Sequence, residues 1–108
     1  MSEMILVSTT FTVSGKDIQR HIGPVKGIVV RTPTISQGIM GGLTSILGGK
    51  IQAYTDMCEQ ARGEAYNLMI RHAVEMGANA VIGMRYDASE VVAGATEVLC
   101  YGTAVVVA

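Results

Sequence analysis

The chain has 108 residues, 49% of them hydrophobic and 16% charged, with a formal net charge of −1. That is one domain, residues 1–108, with enough apolar content for a core, and it excludes a disordered or collagen-like chain. Near-neutral charge with scattered lysines and arginines removes the electrostatic basis for binding nucleic acid or an anionic membrane surface.

Met4 to Thr10 is a short apolar and β-branched run, Val13-Ser14-Gly15-Lys16 carries a turn signal, and Ile18 to Thr32 resumes as an extended segment. These predict a first β-hairpin. Gly23-Pro24 and Gly27 interrupt its second arm, and because proline cannot donate to a ladder, a bulge or a sheet edge is expected there. Gly27 to Arg31 is the strongest strand signal in that arm.

Thr32 to Gly49 holds no charged residue, and Gly38, Gly41, Gly42, Gly48 and Gly49 punctuate its apolar positions. Five glycines and several hydroxyl and amide side chains make a poor transmembrane helix. A phosphate loop fails too, because Thr44 stands where the first glycine belongs and Ile51 follows Lys50. A loop with a helical turn, packed under the next helix or against another subunit, is the expectation.

Gly49 to Gly77 reads as one long helix. Asp56 and Glu59 have capping-box spacing, although Gly48 and Gly49 allow an earlier entry. Gly77 is placed to close the helix in the left-handed conformation. At about 100° per residue, Tyr54, Met57, Cys58, Ala61, Ala65, Leu68, Met69, His72 and Met76 share one stripe, as expected of a helix lying on a sheet. Gly63, Tyr66, Ile70 and Val74 form a second, separate stripe, for which another subunit is the expected partner. A mid-helix glycine costs about 1 kcal/mol relative to alanine, so close approach of a neighbouring backbone is expected at Gly63.

Ala80 to Asp87 alternates, with Ala80, Ile82, Met84 and Tyr86 on one side and Val81, Gly83, Arg85 and Asp87 on the other, predicting a half-buried strand. Ala88 to Gly94 is read as the connection. Glu97 to Val107 is the last strand, with Val98, Cys100, Gly102, Ala104 and Val106 on a face small enough to lie under a helix. The fold class is therefore α+β, two β-hairpins flanking one long helix in ββαββ order.

Met76-Gly77-Ala78-Asn79-Ala80-Val81-Ile82-Gly83-Met84 resembles the Gly-Ala-Asn-Ala-Val signature of the YbjQ family, small uncharacterised bacterial proteins whose domain carries the label "putative heavy-metal-binding". Ser8-Thr9-Thr10, Gly48-Gly49 with Tyr54, Ala61-Arg62 and Gly102-Thr103-Ala104-Val105 extend the resemblance nearly end to end, whereas His21 to Lys26 departs from it. The resemblance implies a dodecin-like subunit in a ring-shaped homo-oligomer, a pentamer, with the chain itself as partner. It implies no demonstrated activity.

The label raises Cys58, Cys100, His21 and His72 as metal ligands. None has chelating spacing, and fourteen residues at 1.5 Å each separate Cys58 from His72 by about 21 Å along the helix. A metal site must then form between subunits, if anywhere, and its residues are left open. Two core thiols and a buried, hydrogen-bonded His72 are the plainer reading. Nucleophilic work would need Cys58 or Cys100 beside a histidine and an orienting acid, and the place of Cys58 in the apolar stripe favours an inert thiol. Asp87 and Glu90, the nearest paired carboxylates, sit at a turn, and Arg62 and Arg85 are expected to pair with Glu59 or Asp87, or else to meet an anion at a subunit boundary. No catalytic residue and no cofactor is assigned. The function expected is a homo-oligomeric binding or scaffold protein without a recognisable catalytic constellation, its partners being itself and a small ligand or metal ion; a heavy-metal-binding protein with sites formed between subunits is the alternative, and an enzyme of unknown reaction the second. The N-terminal residues lack a basic segment leading into an apolar one, which predicts a cytoplasmic location.

Overall fold

The computed structural model describes residues 5–32 and 49–108. The uncharged stretch expected to form a loop therefore lies almost wholly outside the described residues. Among the described residues there are four strands and one helix: β1 (Leu6–Val7), β2 (Ile18–Arg31), α1 (Gly49–Glu75), β3 (Ala80–Val92) and β4 (Ala95–Val107). The strands form one mixed sheet in the order β1-β3-β4-β2, with α1 across one face.

The α+β class holds, but the first hairpin does not form. β1 pairs in parallel with β3, Leu6 beside Ala80 and Val7 beside Val81, while β2 runs antiparallel to β4 at the opposite edge. The turn signal is real, since Lys16 N–H donates to Val13 O at 3.0 Å and Gly15 has φ +79°. The turn belongs to a segment that crosses from one edge of the sheet to the other. Ser8, Thr9 and Thr10 start that crossing: Thr10 N–H donates to Ser8 Oγ at 3.0 Å and Thr10 Oγ1 to Thr12 O, local bonds that draw the backbone out of strand geometry. Val13 and Ile18 then pack on Ala80, Ile82, Val105 and Val107, a small core on the face away from the helix.

The second hairpin forms, and it is longer than predicted. β3 continues to Val92, so the turn is Ala93-Gly94, with Gly94 at φ +83°. Ladder partners step from Ile82–Thr103 to Arg85–Tyr101, which is a bulge with Gly83 at φ +62°. The extra residue reverses the predicted alternation. Ala80 and Ile82 belong to the small core, whereas Val81, Met84 and Tyr86 lie on the helix side. β2 carries the expected bulge between His21 and Gly23 and is also an edge strand.

Helix α1 begins no later than Gly49, the earlier of the two predicted entries, so Asp56 is no cap; its carboxylate accepts from Gln52 Nε2 at 3.0 Å within the helix. Its far end closes on Gly77, φ +92°, with Ala78 N–H donating to Ala73 O at 3.0 Å and Gly77 N–H to Val74 O at 3.0 Å. This is a Schellman cap, its apolar contact supplied by the buried Ala73 and Ala78.

Among the helix residues whose burial is described, Ala61, Ala65, Met69 and Ala73 are buried. Tyr66 and Ile70, expected to face another subunit, pack against that same core. Ala61, Ala65 and Met69 of the first predicted stripe thus face the sheet as expected, Ala73, assigned to neither stripe, joins them, and Tyr66 and Ile70 flank the same core. Cys58, His72 and Met76 are exposed rather than buried. The close approach expected at Gly63 occurs elsewhere. No atom of the subunit's described residues lies within 4 Å of a Cβ placed there, whereas a Cβ at Gly27 would stand 2.6 Å from Met69 N and 2.8 Å from Leu68 Cβ.

Candidate functional site

The sheet is longer than the helix-covered core, and this leaves a groove between the first turns of α1 and the far half of the sheet. β3 runs thirteen residues and β2 fourteen, about 45 Å at 3.3 Å each. The helix seats tightly where Gly27 and small residues let it down, and beyond Ala61 it stands clear. A groove of about 370 Å³ opens there, lined by Arg31, Met57, Cys58, Glu59, Arg62 and Val98 together with Thr55, Ala61, Ala88 and Thr96. That volume lies within the range of small-molecule sites, roughly 300–1,000 Å³.

Register explains who lines it. Tyr86 stands opposite Cys100 and Ala88 opposite Val98, so after the bulge the even-numbered residues of β3 look toward the helix. Arg31 is partnered with Thr96 at the end of β2 and its guanidinium is ion-paired with Glu64 of α1 at 2.5 Å. Arg62 lies over the Tyr86 ring, 5.2 Å from its centroid. Burial first, then Cys100 and Tyr66, push the Tyr86 hydroxyl above its usual pKa, against the opposing pull of Arg62.

Of the two cysteines, Cys100 is fully buried, its Sγ 3.6 Å from Met69 Sδ, and burial pushes its thiol up to about 11. It is a core thiol, protonated at neutral pH. Cys58 is a free, exposed thiol at the groove, contrary to the core position expected. His72 is exposed but not idle: its Nδ1 lies 2.8 Å from Lys26 O, and because a carbonyl only accepts, Nδ1 carries the proton and Nε2 is left as the acceptor. His21 sits exposed on β2 opposite Val105. No three His, Cys, Asp or Glu side chains converge as a metal site among the described residues.

Asp87 and Glu90 do not face one another, since an odd and an even position of one strand point to opposite sides. Asp87 Oδ1 accepts from Ala88 N–H at 2.8 Å, and Glu90 Oε2 accepts from Gly94 N–H at 3.1 Å, holding the hairpin turn. Among the described residues Arg62 and Arg85 form neither expected ion pair. Arg85 donates to Thr9 O at 3.0 Å and Met84 O at 2.9 Å and lies 5.8 Å from the Phe11 ring centroid, fastening the crossing segment to β3.

The signature leaving the helix has a structural task at each position. Gly77 provides the left-handed cap, Ala78 its apolar contact, and Ala80 and Val81 enter the two cores. Asn79 donates from Nδ2 to Val107 O at 3.0 Å and accepts from Val107 N–H at 2.8 Å, imitating a strand partner for the end of β4. Sequence reasoning missed the groove because its walls come from α1, β2, β3 and β4 at once.

The fold is that of a small α+β protein, with one helix lying on a four-stranded mixed sheet among the described residues and a groove beside the helix. A family model described as "Putative heavy-metal-binding" matches residues 5–108, and the chain belongs to that YbjQ family. An UPF0145 protein of Legionella pneumophila (strain Lens) is 58% identical, the match covering 95% of this chain and 98% of that one. An UPF0145 protein of Paraburkholderia phymatum is 53% identical over 97% and 95% of the two chains. Among solved structures, a Pediococcus pentosaceus protein of unknown function, from the DUF74 family, superposes with a TM-score of 0.66 at 18% identity, covering 96% of this chain and 98% of that one. It shares the fold. Among the described residues no helix is long and apolar enough to cross a membrane.

Proposed function

We propose that the protein is a homo-oligomeric binding protein of the cytoplasm, without catalytic activity, assembled through the uncovered face of its sheet. The observation that carries this is the far half of the face opposite the helix. There Ile28 is 41% exposed, Val30 56% and Tyr101 40%. Lys26, Arg85, Asp87 and Glu97 alternate among them by register, two positive and two negative, so the patch is apolar and electrically balanced. A surface of that kind is complementary to a second copy of itself. Among the described residues β2 also presents a long unpaired edge at its side, which a neighbouring strand can extend. A closed ring of five dodecin-like subunits is the arrangement the family resemblance favours.

Ile28→Lys with Val30→Lys places two like charges on this patch and removes its apolar centre. We expect the double variant to stay folded by circular dichroism and to lose assembly in native mass spectrometry. An unchanged oligomer would show that the sheet face is not the contact.

A second reading, a heavy-metal site shared between subunits, has support in the exposed Cys58 thiol and in Nε2 of His72, the acceptor nitrogen that the Lys26 contact leaves over. The two lie too far apart on one helix to chelate an ion together, so a single chain offers no site from them. Elemental analysis of the intact protein is expected to find less than one zinc, copper or nickel per subunit. One equivalent, lost in Cys58→Ala or His72→Ala, would establish the metal reading instead.

A further inference from the structure

We infer that the groove between α1 and the far half of the sheet binds an organic monoanion: a carboxylate or similar headgroup on Arg62, with an apolar body lying along Met57, Ala61, Ala88 and Val98. This deepens the proposed binding role and rests on that role alone, not on assembly.

Three ionisable side chains of fixed sign line the groove: Arg31, Arg62 and Glu59. Arg31 is neutralised by Glu64, which stands outside the lining. Among the described residues neither Arg62 nor Glu59 is ion-paired, and Arg62 donates to no protein acceptor. Within that set one guanidinium is therefore uncommitted, and Glu59 beside it disfavours a dianion.

A guanidinium carries its N–H donors in one plane, where a carboxylate can engage two of them side by side. The Arg62 guanidinium carbon lies 5.2 Å from the centroid of the Tyr86 ring, a cation–π contact that takes up none of those donors. That contact leaves Arg62 ready for an anion. The rest of the floor is aliphatic and thioether surface, which recovers nothing from a small inorganic anion but gains from each buried CH₂ of an organic one. A free phosphate or chloride uses half the site.

The test uses full-length protein, octanoate, and octanol as its uncharged counterpart, monitored by amide shifts in ¹H–¹⁵N spectra. Octanoate is expected to shift Thr55 to Arg62, Ala88, Thr96 and Val98, and octanol to bind at least about tenfold more weakly, as loss of a charge-assisted contact implies. In Arg62→Met, whose melting temperature is checked first, octanoate affinity should fall about tenfold to the octanol level, with octanol unchanged. Ala88→Leu, which fills the groove without touching the arginine, should weaken both probes. Equal binding of the two probes by the parent protein, or an octanoate affinity indifferent to Arg62→Met, overturns the anion assignment while leaving a binding groove in place. If neither probe moves the groove residues, the groove is not a site and the inference fails. The mass of the same sample by light scattering reports on assembly independently.

Discussion

Gly27 sets how closely the helix can approach the sheet. A Cβ at this position would overlap the backbone of Ala65 and Met69, not the end of a flexible side chain, so relief requires moving the helix. We expect Gly27→Ala to cost about 1–3 kcal/mol, the usual range for overpacking, which lowers the melting temperature by roughly 4–8 °C per kcal/mol in a domain of this size. Gly63→Ala is the control. Nothing among the subunit's described residues lies within 4 Å of its added Cβ, and helix propensity improves by about 1 kcal/mol, so thermal denaturation should show the two variants shifting in opposite directions. A Gly27→Ala melt at or above the parent's would mean that α1 is not seated on β2.

At the scale of the element, the passage from α1 into β3 was the most legible part of the chain, because each step has a local cause. A left-handed glycine ends a helix whatever surrounds it, and the small residues after it signal tight packing. The role of Asn79 was not legible, since its partner, Val107, lies 28 residues away. We expect Asn79→Ala to cost about 1–3 kcal/mol by leaving the N–H and C=O of Val107 without their partners, measured by chemical denaturation. A midpoint within error of the parent would assign the closure of β4 to packing alone. Two other misreadings have equally physical origins. The turn at Gly15 was correct, but a turn signal does not say which strands it joins, and β1 finds β3 through contacts distant in sequence. The alternation in β3 failed at Gly83, because a bulge adds one residue and thereby exchanges the faces of everything beyond it. That exchange is what turns Tyr86 toward the helix and Ala88 toward the groove, so the candidate site was hidden by the same residue that builds it.

For the whole molecule, the helix gives less reason to expect a partner than its sequence did, and the sheet gives more. Ala61, Ala65 and Met69 of the first helix stripe and Tyr66 and Ile70 of the second meet one core, whereas Ile28, Val30 and Tyr101 are exposed on a face that no element among the described residues covers. A domain of this size buries a limited fraction of its surface alone, and an exposed apolar face beside a free strand edge is a liability that assembly removes. The groove lies on the other side of the sheet, so assembly through the bare face leaves it open to ligand. The most direct measurement is light scattering coupled to size-exclusion chromatography at micromolar concentration. Self-assembly predicts a single species at a multiple of the 11.4 kDa chain, near five copies if the ring closes as the family resemblance implies, while a species at 11.4 kDa across the concentration range would contradict it.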